Sequence, residues 1–507
     1  MGVGLTASLI NVLNFHDYPM LAPEVAIAWA MLMAGALLFA GAMAVAPFGL
    51  RVVLGGLMAL LLADWNMANY DWPYVIGVAG LLLTYRLGLH FVKMVAIAFA
   101  VIGVTTLIGL GETAERIETV EADRPAASGV QPPPPLLVHV ILDEMEGIRG
   151  LNALRGQAGA GNEVADALVA KGFTVYEDSY SPYYRSANAI PHFLNYGSLG
   201  TSEGDGNRGV ATGEVAWLRD LAARGYETEV IQSTFLDMCT DNAVAQCRTY
   251  WRENLNGLRE AELSALDRAR LILIHIGRQV TLALLWSVFE QNLVEGRFAS
   301  GDLSNQAPLK HRGEANTLNS VTELERLVEV VRAKGAGDAV IAHVLAPHFP
   351  FAHDAQCRTR PLDQWTGGWD ARATIESRSA AYLAQVDCLV GLIEQVADAA
   401  DAASGGRYVM VVNGDHGSRI GEELLNYGLA RGSEEDRLHG ASALFAVRMA
   451  EPRAGRVEGI STLASLFGQL EAGAATSPPV PDGAPAMMLE PPRGDGRPTD
   501  PVPLAWR

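Results

Sequence analysis

Leu136-Leu-Val-His-Val-Ile-Leu142 is an apolar run of strand length, entered through four prolines at 132–135 and left through two acids, Asp143 and Glu144. An apolar run that does not alternate reads as a strand buried on both faces, the pattern of a parallel sheet. Further runs of this kind lie at Thr174–Tyr176, Thr228–Ile231, Ala339–Leu345, Tyr408–Val412 and Ala441–Val447, with helical patterns between most of them. Strands alternating with helices predict an α/β domain whose mostly parallel sheet is covered by helices. Ligands of such sheets bind beyond the carboxyl ends of strands, so the polar residues after each run are where chemistry is to be sought.

Upstream the character changes. Val25–Ala46 is uncharged and apolar, long enough to cross a hydrocarbon core of roughly 30 Å, which takes about 20 helical residues. Three shorter or charge-interrupted apolar stretches follow, near Arg51–Asp64, Trp72–Tyr85 and Phe91–Leu110, so residues 1–111 are expected to form a membrane region of about four helices. Arg51 marks one loop, and Arg86 with Lys93 another; the intervening Asp64–Asp71 segment and the chain start, with Asp17 and Glu24, carry acids only. Basic loops stay on the cytoplasmic side, which puts both ends of the region outside. A cleaved signal peptide fits less well, because no basic segment precedes the first span and more apolar stretches follow. Residues 112–135 read as a stiff linker, 136–476 as the extracytoplasmic domain, and the Pro-, Gly- and charge-rich 477–507 as an extended, partly disordered tail. Leu271–Phe289, apolar but broken by His275, Arg278 and Gln279, reads as a core or domain-surface helix, with a membrane-contacting helix as the alternative.

The chain carries a formal charge of −19, nearly all of it after residue 111. That charge, without any basic stripe, argues against nucleic acid as a partner. All four cysteines lie in the soluble part, and an even number suits disulfides in an oxidising compartment. The short loop suggests Cys239–Cys247, leaving Cys357–Cys388; four buried free thiols are the alternative, and the absence of CxxC spacing disfavours a zinc cluster on these cysteines.

Two strand ends offer ligands for a hard or borderline cation: Asp143 with Glu144, and Asp415 with His416. Singly, such pairs serve as readily in caps and turns. In order, however, Val140-Ile-Leu-Asp-Glu144, Ser186-Ala-Asn-Ala-Ile-Pro191, Pro347-His-Phe-Pro350 and Val412-Asn-Gly-Asp-His-Gly-Ser418 resemble successive blocks of the sulfatase-like branch of the alkaline phosphatase superfamily. That branch includes membrane-bound phosphoethanolamine and phosphoglycerol transferases and lipoteichoic acid synthases. The resemblance spans roughly Leu136–Met449 and implies an alkaline-phosphatase-like α/β fold.

It also implies roles. Ser186 stands where the transferases have a threonine nucleophile, and Ser also suits the N-cap of a helix containing Pro191. Asp143, Glu144, Asp415 and His416 would hold one divalent zinc or manganese ion, with a second open. His348, where Phe349 replaces the family's glycine, and His439 would stabilise charge or protonate a leaving oxygen. Arg185, His343, His192 and Arg419 are weaker candidates for supporting these groups. Sulfatases that convert Cys or Ser to formylglycine need Pro two residues on and Arg four residues on; Asn188 and Ile190 stand there, which argues against that mechanism.

The expectation is a cytoplasmic-membrane enzyme with its catalytic domain periplasmic or extracytoplasmic. It would move a phosphoryl-linked head group from a phospholipid donor to a glycan or lipid acceptor of the cell envelope. The alternatives are a phosphodiesterase, phosphatase or sulfuric ester hydrolase of the same superfamily, and a non-catalytic membrane scaffold.

Overall fold

The structure is a computed structural model of the 507-residue chain. It describes residues 2–16, 18–47, 49–50, 116–118, 132–199, 210–211, 214–250, 255–278, 316–366, 373–421, 432–472, 477–489 and 501–504. Two compact units emerge: residues 1–114 with 253–315 and 361–364, and residues 115–252 with 316–360 and 365–507.

The first unit contains α1 (Gly2–Phe15) and α2 (Pro23–Val45). Pro23 suits a first helical position, where its missing N–H costs nothing. Leu37, Leu38 and Val45 of α2 are exposed, and the helix is long and apolar enough to cross a membrane. The three further expected spans lie outside the described residues. The helix Ala265–Arg278 packs on α2, burying Leu271, Ile272, Ile274 and Ile276. Where the two meet, Glu24 accepts from the Tyr18 hydroxyl at 2.6 Å and lies 3.4 Å from Arg268 Nε. Residues 253–315, expected within the extracytoplasmic domain, thus group with the N-terminal residues. The part of Leu271–Phe289 beyond Arg278 lies outside the described residues.

The second unit is built on a nine-stranded sheet. Its strands are β1 (Arg116–Glu118), β2 (Leu136–Leu142), β3 (Thr174–Tyr180), β4 (Glu227–Ser233), β5 (Gln246–Tyr250), β6 (Asp338–Val344), β7 (Tyr408–Gly414), β8 (Phe445–Arg448) and β9 (Gly455–Thr462). Their spatial order is β1-β5-β4-β6-β2-β7-β8-β3-β9. The helices described with it are α3 (Ile148–Ala153), α4 (Ala160–Ala170), α5 (Ser186–Leu194), α6 (Ala216–Ala223), α7 (Asn316–Arg332), α8 (Ile375–Ser404), α9 (Glu434–Ala441) and α10 (Leu463–Ala472). β2 lies centrally, parallel to both neighbours, in register Leu142↔Val344 and Leu142↔Gly414. Its period-2 geometry sends Leu136, Val138, Val140 and Leu142 to a core shared with Leu324 of α7 and Leu389 and Val396 of α8. Leu137 and Ile141 face the opposite core, with Phe193 of α5, Trp217 of α6 and Phe467 of α10. Each such side chain, fully buried, contributes about 1.5–3 kcal/mol.

Several expectations change. β8 begins at Phe445 rather than Ala441 and runs antiparallel to both β7 and β3. Residues 434–441 instead form α9, which Ser433 caps by accepting from the Asp436 N–H. β5 and β9 were not foreseen, since QCRTY and GRVEGIST carry charge and only half-buried faces. The linker contains β1, paired antiparallel with β5 at the sheet edge. The tail is partly ordered: Met487–Met488 pairs with Val502–Pro503, the Leu489 N–H donates to Pro182 O, and Pro479 O accepts from the buried Tyr176 hydroxyl. Both expected disulfides form, Cys239–Cys247 and Cys357–Cys388, with Cα separations of 5.9 and 4.9 Å.

Candidate metal centre

Because β2 and β7 are parallel neighbours in register, the residues that follow them emerge side by side. Asp143 and Glu144 leave β2; Asp415 and His416 leave β7, and the Asp415 N–H donates to Leu142 O at 3.3 Å. Only glycine fits at two points of this crossing. A Cβ on Gly414 would lie 2.0 Å from Met145 O, and one on Gly417 1.7 Å from His439 O. The Asn-Gly-Asp-His-Gly stretch is therefore spaced by backbone crowding as much as by chemistry.

Asp143, Asp415 and His416 are all buried, and one ligand atom from each lies within 4.8 Å of the others. Asp415 Oδ1 accepts from the N–H groups of His416 (2.8 Å) and Glu144 (3.0 Å), whereas its Oδ2 has no hydrogen-bond partner among the described residues. His416 Nδ1 lies 2.8 Å from Gly417 O, which can only accept, so that nitrogen carries the proton. Nε2 then presents its lone pair to the cluster, 3.7 Å from Asp143 Oδ1 and 3.5 Å from Asp415 Oδ2.

Above these atoms sits Ser186, the first residue of α5. Its Oγ donates to Asp143 Oδ1 at 3.2 Å and lies 3.3 Å from His416 Nε2. No side chain from Arg185 caps the helix. The uncapped first turn directs N–H groups and the positive end of the helix dipole towards the serine, an environment suited to an anion.

Glu144 is fully buried and adopts a left-handed backbone, φ 66°, a conformation costly for a side-chain-bearing residue. It is held there by its N–H on Asp415 and by the Tyr382 hydroxyl, which donates to Glu144 O at 2.7 Å. Its carboxylate lies just beyond the compact triad: Oε1 is 2.9 Å from Arg419 Nε and 3.5 Å from His348 Nε2. The Arg419 contact is an ion pair without hydrogen-bond alignment, and among the described residues neither Glu144 oxygen has an aligned donor. Arg419 also brings Nη2 to 3.2 Å from His416 Nε2, a closer part in the site than the sequence suggested.

The electrostatics are those of a site short of positive charge. Burial, with Asp415 and Glu144 beside it, pushes the Asp143 carboxyl well above the usual range. Burial also lowers His416. Among the described residues, three buried carboxylates face one guanidinium, with unsatisfied carboxylate oxygens and a lone pair converging. Oxygen and imidazole donors in that arrangement fit a divalent metal ion, which Asp143, Asp415 and His416 could hold, with Glu144 at the margin.

The remaining candidates divide. His348 joins the site from the loop after β6, its N–H donating to Asp143 O at 3.1 Å. His439 is paired with Glu146: its Nδ1 lies 3.1 and 3.2 Å from the two oxygens of that buried acid, which also accepts from Ser418 Oγ. Burial pulls His439 down, but the Glu146 charge and hydrogen bond outweigh it and raise the group. His343 is buried, neither ring nitrogen has a hydrogen-bond partner among the described residues, and burial lowers it to about 4. Arg185 is exposed, its guanidinium 5.5 Å from the Tyr184 ring. His192 lies against Tyr183 towards the far end of α5. The sequence reading missed Glu146, Tyr382 and Gln385; for Glu146 the signal was present as the second acid of Glu144-Met-Glu146.

No protein-family model matches this chain, and no curated protein sequence matches it. Solved structures do. The periplasmic domain of EptC from Escherichia coli, a complex with Zn, is 14% identical with a TM-score of 0.40, covering 73% of this chain and 93% of that one. The phosphonate monoester hydrolase of Agrobacterium radiobacter is 14% identical with a TM-score of 0.39, covering 71% and 82%. BT1596, a 2-O GAG sulfatase, is 11% identical with a TM-score of 0.39, covering 68% and 72%. At these identities and scores the likeness carries over no residue, ligand or reaction.

Proposed function

We propose that this chain is a membrane-anchored, metal-dependent phosphoryl-group transferase of the sulfatase-like branch of the alkaline phosphatase superfamily. The observation that carries the reading is Ser186 Oγ, buried at the start of a helix and within 3.3 Å of both Asp143 Oδ1 and His416 Nε2. Asp143, Asp415 and His416, with Glu144 beside them, would hold a divalent zinc or manganese ion, which would supply the positive charge that lowers the serine hydroxyl's pKa and offsets charge on the phosphoryl oxygens.

Ser186 Oγ attacks the phosphorus of a phosphodiester. The Oγ–P bond forms, the P–O bond to the departing alcohol breaks, and one proton passes in net from the serine to that alcohol. The product is a phosphodiester on Ser186. An acceptor hydroxyl reverses the exchange, taking the phosphoryl-linked group and returning a proton to the serine. The α5 N-terminus receives the anionic group, and His348 and Arg419 lie beside Glu144 to carry its charge. The α2 helix, long and apolar enough to span a bilayer, favours a phospholipid donor and a glycan or lipid acceptor in the cell envelope. The two disulfides favour an oxidising, extracytoplasmic location.

The test is intact-mass and phosphopeptide analysis of metal-replete protein after incubation with membrane phospholipids, beside Ser186→Ala. A phosphorus-containing adduct on Ser186, absent from the variant, supports the mechanism, and its mass names the transferred group. No adduct, together with no retained metal, would favour a scaffold instead. Release of free head group to water, with no acceptor product, would favour a hydrolase.

A further inference from the structure

We propose that Gln385 is a positioning residue that sets His348 beside Glu144. The inference rests on the reading of the site above and adds to it the means by which the His348 loop is held.

Residues 346–366 leave the sheet after β6, and His348 is the member of this loop that reaches the site. Beneath the loop runs α8. Gln385, fully buried on that helix, spends its whole amide on the loop. Its Oε1 accepts from the N–H groups of Ala352 (2.9 Å) and His353 (3.3 Å). Its Nε2 donates to Pro347 O (3.1 Å) and, at 3.5 Å, to His348 O. One planar group thus binds both sides of the short segment that presents His348. Thr317 Oγ1 adds a second tether, to His348 O at 3.1 Å and Pro350 O at 2.9 Å.

The neighbours of Gln385 along α8 reinforce this. One turn before it, Tyr382 donates to Glu144 O and accepts from the Glu146 N–H at 2.9 Å. One turn after it, Cys388 is bonded to Cys357 of the same loop. Residues three apart share a helix face, so one stripe of α8 grips both the Glu144 backbone and the His348 loop. The separation of 3.5 Å between Glu144 Oε1 and His348 Nε2 is therefore set from a common base. An amide that only satisfied buried backbone groups would contribute to stability alone. An amide that positions His348 contributes to turnover through His348.

A double-mutant cycle separates the two, run on full-length, metal-replete protein in lipid with a phosphodiester substrate. Gln385→Leu is expected to lower kcat about tenfold with KM little changed, the scale of a misplaced reacting group. In a His348→Gln background the same substitution is expected to cost less than about twofold. Equal losses in both backgrounds overturn the proposal. If Gln385→Leu does not fold, Gln385→Glu serves. It keeps shape and both accepted bonds but turns an oxygen towards two carbonyls, and the same pair of outcomes decides. If the wild type turns over no phosphodiester, the reading of the site falls separately. The ring-nitrogen resonances of His348 in 15N-histidine-labelled protein then decide the inference: they shift in Gln385→Leu if Gln385 positions the ring, and unshifted signals overturn it.

Discussion

Two buried ionic clusters lie within a few residues of each other in sequence and differ in one respect. Around Glu146, every partner is supplied by the protein: His439 Nδ1 and Ser418 Oγ meet the carboxylate, and the Tyr382 hydroxyl meets the backbone N–H. Around Asp415, buried oxygens and an imidazole lone pair converge with too few donors. Burying an unpaired charge costs several kcal/mol, so a fold keeps such a cluster only when something else satisfies it. The satisfied cluster locks α9 to the segment after β2. The unsatisfied one is the candidate place for a cation.

That contrast can be broken by substitution. Asp415→Asn, which removes charge from the unsatisfied cluster, is expected to lower turnover by about a thousandfold or more. Metal content by mass spectrometry should fall with it, while the melting temperature of metal-free protein holds or rises. A fall in metal-free stability instead would mean that the cluster is structural. Glu146→Leu should do the opposite, destabilising the fold by about 3–5 kcal/mol in urea titrations because it leaves His439 buried without its carboxylate. Chelation should destabilise the wild type by about 2.7 kcal/mol relative to metal at a hundred times its dissociation constant. Asp415→Asn should be insensitive to the chelator.

The smallest effect is in pH. The folded pKa of His439 is raised above the unfolded value of about 6.5, so its contribution is fully present below that pH. It is lost as pH rises through the folded pKa. Subtracting the stability curve of His439→Gln from that of the wild type should give a difference that declines with rising pH. Glu146, Glu435 and Asp436 are the acids that favour the charged ring. A difference that grows with pH would mean that the ring is buried neutral.

What could be read from sequence was what the chain writes locally. Leu136–Leu142 is apolar at every position but His139 because both its faces are covered, and the groups after β2 and β7 follow their strands directly. The partners that complete the centre come from far along the chain. Tyr382 meets Glu144 across 238 residues, and His439 meets Glu146 across 293, so no spacing rule could pair them. For His439, resemblance gave a position in the order of motifs but not the carboxylate that holds it. α2 and α8 both pass a length-and-apolarity test for membrane helices, yet α8 buries Val386, Leu389, Leu392, Ile393 and Val396 within the sheet unit. Apolar content alone does not separate lipid from core as the solvent.

The C-terminal segment has a practical side. Met488 is buried against Tyr184 and Ala441, and Leu489 is stitched to Pro182, four residues before Ser186. A stop codon placed before residue 477, the natural choice for trimming a proline-rich end, would strip the cover from the strand-to-helix turn that presents Ser186. Shortened versions made for crystallisation would then lose activity for a reason unconnected with chemistry. An affinity handle is better placed after Arg507, leaving the tail intact.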